Sequence, residues 1–323
     1  MKRLLFIISV IALVTACGNK TQGSSENTDS TEVVADSTEK VVEKPQIPPL
    51  QTDSISKEKS DEKAEVSVCV DWPTDGDSAL VAAVREYICK ILEVSKTTDG
   101  KVAVKKALQN DYNETAGLWE ETYSGMDDEN EEGEEDSDEE EDTPKGPSFS
   151  HSISIRKVAD NDMFVSYMVD VYIYSGGAHG MSSCVGVSFS KATAKRLGYE
   201  TVFNDKTITT SIKKQTLFND KVKTRDFNAL LKAGFKEYFG SVSGEGKKKL
   251  TDVELDDMVD PELSKLPLPG NPPYFTDKGL EFIYQQYEVA AYCYGMPTFC
   301  IPYNKILPYL SDEAKALVPE QAK

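Results

Sequence analysis

Val66, Val68 and Val70 alternate with polar neighbours ahead of a Pro and Gly turn, a period of two that predicts a short strand. The period then changes. Leu80, Val81, Val84, Ile88, Ile91 and Leu92 recur at helical spacing, with Asp75 or Asp77 placed to cap the start and Cys89 on the apolar face. A second, weaker helical pattern runs through residues 101–121. Further on, Phe149, His151, Ile153 and Ile155 point one way while Ser150, Ser152, Ser154 and Arg156 point the other, as in a half-buried strand. The next run has apolar residues on both faces, Met163, Val165, Tyr167, Val169, Val171 and Ile173 against Phe164, Met168, Tyr172 and Tyr174, so it predicts a central strand covered on both sides. Residues 181–191 make a third strand. The Gly-rich stretch between the last two is then the connection of an antiparallel meander, with Gly176, Gly177 and Gly180 free to take positive φ.

The second half opens with residues 196–203. Phe227, Leu230, Leu231, Phe235, Tyr238 and Phe239 form a helical stripe that stops at Gly240. Leu280, Phe282 and Tyr284 alternate, Gly295-Met296-Pro297 turns the chain, and Phe299, Ile301 and Tyr303 alternate again before a short helix. The pattern thus combines an antiparallel meander with helical stretches and a closing pair of strands.

The first residues add a location. Lys2 and Arg3 precede an apolar run from Leu4 to Val14 that is too short to span a bilayer and reads as a secretory leader. Val14-Thr15-Ala16-Cys17 resembles the lipobox of bacterial lipoproteins, which implies cleavage before Cys17 and a lipid on its thiol. Residues 1–17 are therefore expected to be a signal peptide, and the chain to sit in the bacterial cell envelope, anchored at the outer membrane. Residues 18–66 are rich in Ser, Thr, Glu and Lys and are expected to form a disordered tether with an r.m.s. span of roughly 35–40 Å.

The formal net charge is −19, which disfavours nucleic acid and anionic lipid as partners and favours a cationic one. Much of the acidity is local: within residues 127–142 only Asn130, Gly133 and Ser137 are not acidic, and such a run is expected to be a solvated insertion. Cys69, Cys89, Cys184, Cys293 and Cys300 are an odd number beyond Cys17, so at least one stays free or pairs between chains. A bond from Cys293 to Cys300 and buried reduced thiols are both open readings. The only histidines, His151 and His179, lack partners at metal-ligand spacing, and no cofactor motif is present, so neither metal nor cofactor is expected. His151, on an apolar strand face, reads as a core or edge histidine. Cys184 follows His179 by five residues, a spacing that does not by itself make a catalytic pair.

Tyr174-Ser175-Gly176-Gly177-Ala178-His179-Gly180, the strand and turn of residues 188–203, and the closing segment from Tyr274 to Leu310 carry a family likeness. They resemble the extracytoplasmic domain of RsiV, the lysozyme-sensing anti-sigma factor, a domain also found beside peptidoglycan deacetylases and alone in lipoproteins. Where the family has Asn-Pro before its Tyr-Glu, this chain has Gln285-Gln286, and its Ala-Pro-Tyr is Ala290-Ala291-Tyr292. The likeness covers about residues 67–312, in an N-terminal half (67–195) and a C-terminal half (196–312), leaving 313–323 as a tail. It implies an α+β fold, an antiparallel β-sheet with packed helices like the RsiV ectodomain, and, from RsiV, the binding of lysozyme.

The expected function is a non-enzymatic, lipid-anchored envelope binding protein, with lysozyme, another basic protein or peptidoglycan as ligand. Candidate contacts are Tyr174, Ser175, Gly176, Gly177 and His179 from the Gly-rich loop and Tyr287, Glu288, Tyr292 and Tyr294 from the closing segment. The alternatives are an envelope enzyme acting on peptidoglycan, which requires His179, Glu288 and Asp170 to converge, and a structural subunit of an envelope complex.

Overall fold

The computed structural model describes residues 47–123, 146–204, 209–242 and 249–320. The expected signal peptide with Cys17, most of the expected tether and the acidic run lie outside these. Among the described residues no helix is long and apolar enough to cross a membrane.

The main sheet has six strands in sequence order: β1 (Gln51–Ser60), β2 (Ala64–Asp75), β3 (Phe149–Asp160), β4 (Phe164–Tyr174), β5 (Met181–Ser190) and β6 (Arg196–Leu197). All neighbours are antiparallel except β2 and β3. That parallel step needs a long crossover, which α1 (Ser78–Ile91) and α2 (Gly100–Tyr123) supply. Asp77 caps α1, its side chain accepting from the Leu80 N–H. The helices cover the face that carries Val66, Val68 and Val70, where Ala116, Leu108 and Tyr112 of α2 pack on Ala64 and Val66, and Tyr87 of α1 meets Phe189 edge-on at 5.7 Å.

The tether boundary at residue 66 is corrected by this sheet. Residues 51–60 form β1 and residues from Ala64 onward β2, so strands occupy the last part of the span expected to be tether. β1 is an edge strand that pairs only with β2, so it needs no apolar alternation; Ile55 is its one large apolar residue, and Lys57, Glu58 and Lys59 mark its rim. Leu50, fully buried just before it, supplies the apolar anchor.

The other face of β4 and β5 receives the C-terminal half. This comprises a ribbon of β7 (Tyr199–Asn204) and β8 (Thr209–Gln215), helix α3 (Arg225–Val242), short α4 (Asp252–Asp256), a sheet ordered β11-β10-β9 (Thr298–Pro302, Gly279–Ile283, Tyr274–Phe275), and short α5 (Tyr303–Ile306) and α6 (Asp312–Lys315). The α3 stripe runs past Gly240, which is buried within the helix rather than ending it. Phe227, Phe235 and Phe239 of α3 enter one core with Phe282 and Phe299, and Phe164 of β4 meets Phe275 at 5.5 Å. β9 is docked by two buried hydroxyls: Ser166 donates to the Phe275 carbonyl (2.7 Å), and Ser188 accepts the Phe275 N–H (2.8 Å). Gly186 is required there, since a Cβ would overlap the Tyr274 ring.

The chain enters at one end of the main sheet through a buried ionic clasp. Lys191, 3 % exposed, pairs with Asp160 at 2.6 Å and donates to the Pro48 carbonyl (3.3 Å). Lys157 pairs with the same carboxylate (3.1 Å) and donates to the Leu50 carbonyl (2.6 Å), while the Leu50 N–H donates to Asp160 (2.9 Å). The Gly-rich loop leaves β4 at the opposite end of the strands. Eleven residues of β4 separate the two ends, about 35 Å at strand rise.

Candidate functional site

The loop after β4 and the turn after β10 meet. Gly176 and Gly177 take φ of 88° and 91°, the left-handed region that favours glycine, so the chain can reverse tightly into β5. Gly180 has no positive φ. It serves close approach instead: a Cβ there would overlap the Tyr172 ring, and its carbonyl accepts from the Tyr292 hydroxyl at 3.0 Å. His179 stacks on Tyr292 with ring centroids 3.9 Å apart and planes 18° apart, while its Nδ1 lies 3.1 Å from the Gly180 carbonyl. Tyr287 lies 5.6 Å from Tyr292, is 56 % exposed, and has φ 62°, an uncommon conformation for a bulky residue. Tyr172, 40 % exposed, extends the surface from β4.

A glutamine clasp fixes the two segments together. Gln286 accepts the Ser182 N–H (2.9 Å). Gln285 accepts from the Cys184 N–H and the Ser183 hydroxyl (3.0 Å each) and donates to the Cys184 carbonyl (2.8 Å). Gln285 thus satisfies strand backbone much as another strand would.

The candidate residues divide by role. His179, Tyr287 and Tyr292 form the exposed aromatic surface, and Ser175 and Gly177 lie exposed in the adjoining loop. Tyr174 packs edge-on to Phe149 at 6.5 Å and donates to the Gly177 carbonyl (3.2 Å), so it holds the loop. Tyr294 belongs to the core rim, edge-on to Phe239 at 5.4 Å, its carbonyl accepting from the Tyr238 hydroxyl (2.7 Å). Glu288 is inward: its carboxylate accepts the N–H groups of Gln285 (2.7 Å) and Gly270. Burial raises its pKa and these two bonds oppose the rise. Asp170 pairs with Arg156 at 2.6 Å. His179, Glu288 and Asp170 therefore occupy three separate settings, with no hydrogen bond or ion pair joining them.

Cys184 packs its sulfur on that of Met168 (3.1 Å), and burial with Asp170 beside it pushes its thiol up to about 12, away from nucleophilic character. It makes no contact with His179. Cys69, Cys89, Cys184, Cys293 and Cys300 are all free thiols, so the Cys293–Cys300 bond is not formed. Among the described residues no group of three His, Cys, Asp or Glu could hold a metal ion. Tyr172, Gln285 and Gln286 also belong to this surface and were not among the residues expected there. The glutamines stand where the family pattern has Asn-Pro, and that departure was the available signal.

The surface lies at the junction of two regions that match known families. Residues 80–182, which supply the Gly-rich loop, match the family model described as Deacetylase PdaC. Residues 197–304, which supply Gln285 to Tyr294, match the model described as Protein of unknown function (DUF3298). The chain is thus similar to each model over a separate stretch. A crystal structure of a DUF3298 family member from Bacteroides fragilis has 16 % identity, covers 83 % of this chain and 96 % of its own, and superposes with TM-score 0.59. A DUF3298 family protein from Pseudomonas aeruginosa has 14 % identity, with 85 % and 99 % coverage and TM-score 0.51. At such identities the likeness is one of fold. No curated protein matches the chain. The α+β fold and the family resemblance read from the two motifs both agree with these DUF3298 neighbours, with one parallel pair, β2 and β3, inside the otherwise antiparallel sheet.

Proposed function

We propose that this chain is a non-enzymatic binding protein of the bacterial envelope, held to the outer membrane by a lipid on Cys17. Its ligand seats on the aromatic surface of Tyr287, Tyr292 and His179, and is a basic protein such as lysozyme or a cell-wall glycan. The observation that carries the reading is Tyr287, a large ring turned outward on a left-handed backbone beside a stacked pair. Strain of that kind is kept where the surroundings hold it for use, and exposed tyrosines supply contact area at low entropic cost. A further feature supports it. Glu288, the acidic residue nearest in sequence, is spent on backbone N–H groups, which favours binding over acid–base chemistry.

Calorimetric titration of the full chain with lysozyme and with glycan fragments tests this. Tyr287→Ala and Tyr292→Ala are expected to weaken binding at least tenfold, since a central interface tyrosine contributes about 2 kcal/mol. Deleting residues 127–142 is expected to slow association with a basic protein and reduce its salt dependence while leaving dissociation unchanged. Unaltered affinity in both tyrosine variants, or no binding of either ligand, would sink the proposal.

A further inference from the structure

Beside the aromatic surface lies a part of the main sheet that no other element covers among the described residues. The helices take one face of β2 and β3, and the C-terminal half takes β4 and β5 only from Asp170 toward Phe164, where Tyr274 and Ile283 pack on Met168. The remaining open face carries a row of paired residues running straight across four strands: Ser67 on β2, Ser152 on β3, Tyr172 on β4 and Ser182 on β5. Three strand spacings make this row about 14 Å long. Ser154 stands in the next row beside the Arg156–Asp170 pair, whose charges offset each other.

Serine at these positions contributes little to the sheet, because β-branched or aromatic residues fit a pleated surface better. What it provides is a flat strip of short side chains. The hydroxyls of Ser67, Ser152 and Ser154 are half-exposed and make no hydrogen bond within the described residues, so each can both donate and accept. These four residues carry no charge, and the row ends on β1 at Glu58, the partner of Ser67, so an anionic ligand would find no counter-ion in it. It is also continuous with the rings: Tyr172 packs against Gly180, whose carbonyl holds Tyr292, which in turn touches His179 and Tyr287.

Rings that meet the C–H faces of sugars, followed by unpaired hydroxyls that meet their O–H rims, match one ligand chemistry. We infer that the aromatic surface is one end of an elongated site, continued across the serine row, that takes a neutral, unbranched oligosaccharide. The inference rests on the reading above that the aromatic surface binds a ligand, and it narrows that ligand to an uncharged glycan.

Chain length of the ligand tests it. With the full chain, chitohexaose is expected to bind at least tenfold more tightly than N,N′-diacetylchitobiose, because only the hexasaccharide spans both rings and serines. The double substitution Ser67→Arg and Ser152→Arg, at half-exposed positions, is expected to bring the hexasaccharide down to the disaccharide's affinity and leave the disaccharide unchanged. Equal affinities for the two saccharides would overturn the elongated site without any variant having to fold, and leave the aromatic surface standing. Lysozyme binding that Tyr287→Ala abolishes, with no saccharide binding, would overturn this inference alone. Absence of binding by lysozyme and saccharides alike would remove the proposed function with it.

Discussion

Replacing Asp160 with Ala is expected to lower stability by about 3–5 kcal/mol, the cost of breaking a buried ion pair by removing one partner. The carboxylate faces two ammonium groups, and Lys191, 3 % exposed, is the one that cannot reach water when its counter-ion is lost. The same carboxylate accepts the Leu50 N–H, and both lysines bond carbonyls of residues 48 and 50. The substitution therefore also frees the entry of the chain into β1. Denaturant melts of the single variant and of Asp160→Ala with Lys191→Met separate these effects. The double variant should recover part of the loss, because it removes the stranded charge, while β1 amide protons should still exchange faster in both. A loss below 1 kcal/mol in the single variant would mean that the clasp is solvated.

Asp111→Asn is expected to stabilise the protein by about 2–4 kcal/mol at pH 8 and to change little at pH 4, on the scale of about 1.4 kcal/mol per unit of pKa difference. Asp111 of α2 and His151 of β3 are buried 3.8 Å apart, and Asp111 Oδ2 and His151 Nε2 lack hydrogen-bond partners. Burial, with Glu114 and Glu93 nearby, pushes the Asp111 carboxyl up to about 7; burial pushes His151 down to about 4. An acid raised in the folded state binds more protons folded than unfolded between pH 3.8 and 7, so its contribution falls as pH rises through that window. A histidine depressed in the folded state does the opposite between 4 and 6.5. In the parent protein the two slopes oppose each other over their shared range. Asp111→Asn removes the first, so stability should climb with pH from about 4 to 6.5 and then level off, as urea melts at several pH values would record. A variant curve parallel to the parent's would refute the burial of the carboxyl.

The meander of β3, β4 and β5 was legible because each strand has at least one face in a core, and alternation records that burial: Phe149, His151, Ile153 and Ile155 are all buried as their period implies. β1 was not, because an edge strand whose apolar anchor, Leu50, lies outside it has no alternation to show. β8 hides for a related reason, with Ile212 as its one large apolar residue. Both motif loops could be picked out, since glycines and tyrosines mark turns and contact surface. That they meet could not, because the bond from Tyr292 to Gly180 joins positions 112 residues apart. Nor could sequence separate Glu288 and Tyr294, which face inward, from Tyr287, which faces out; that depends on which way the turn carries each side chain.

Whether the ligand lands on the aromatic surface is read by following tyrosine and histidine ring signals by NMR during titration with lysozyme or chitohexaose. The rings of Tyr287, Tyr292, His179 and Tyr172 are expected to shift with ligand, while Tyr112 on α2 and Tyr309 stay in place. Saturable binding that moves Tyr112 or Tyr309 and leaves Tyr287 and Tyr292 in place would contradict that placement of the ligand.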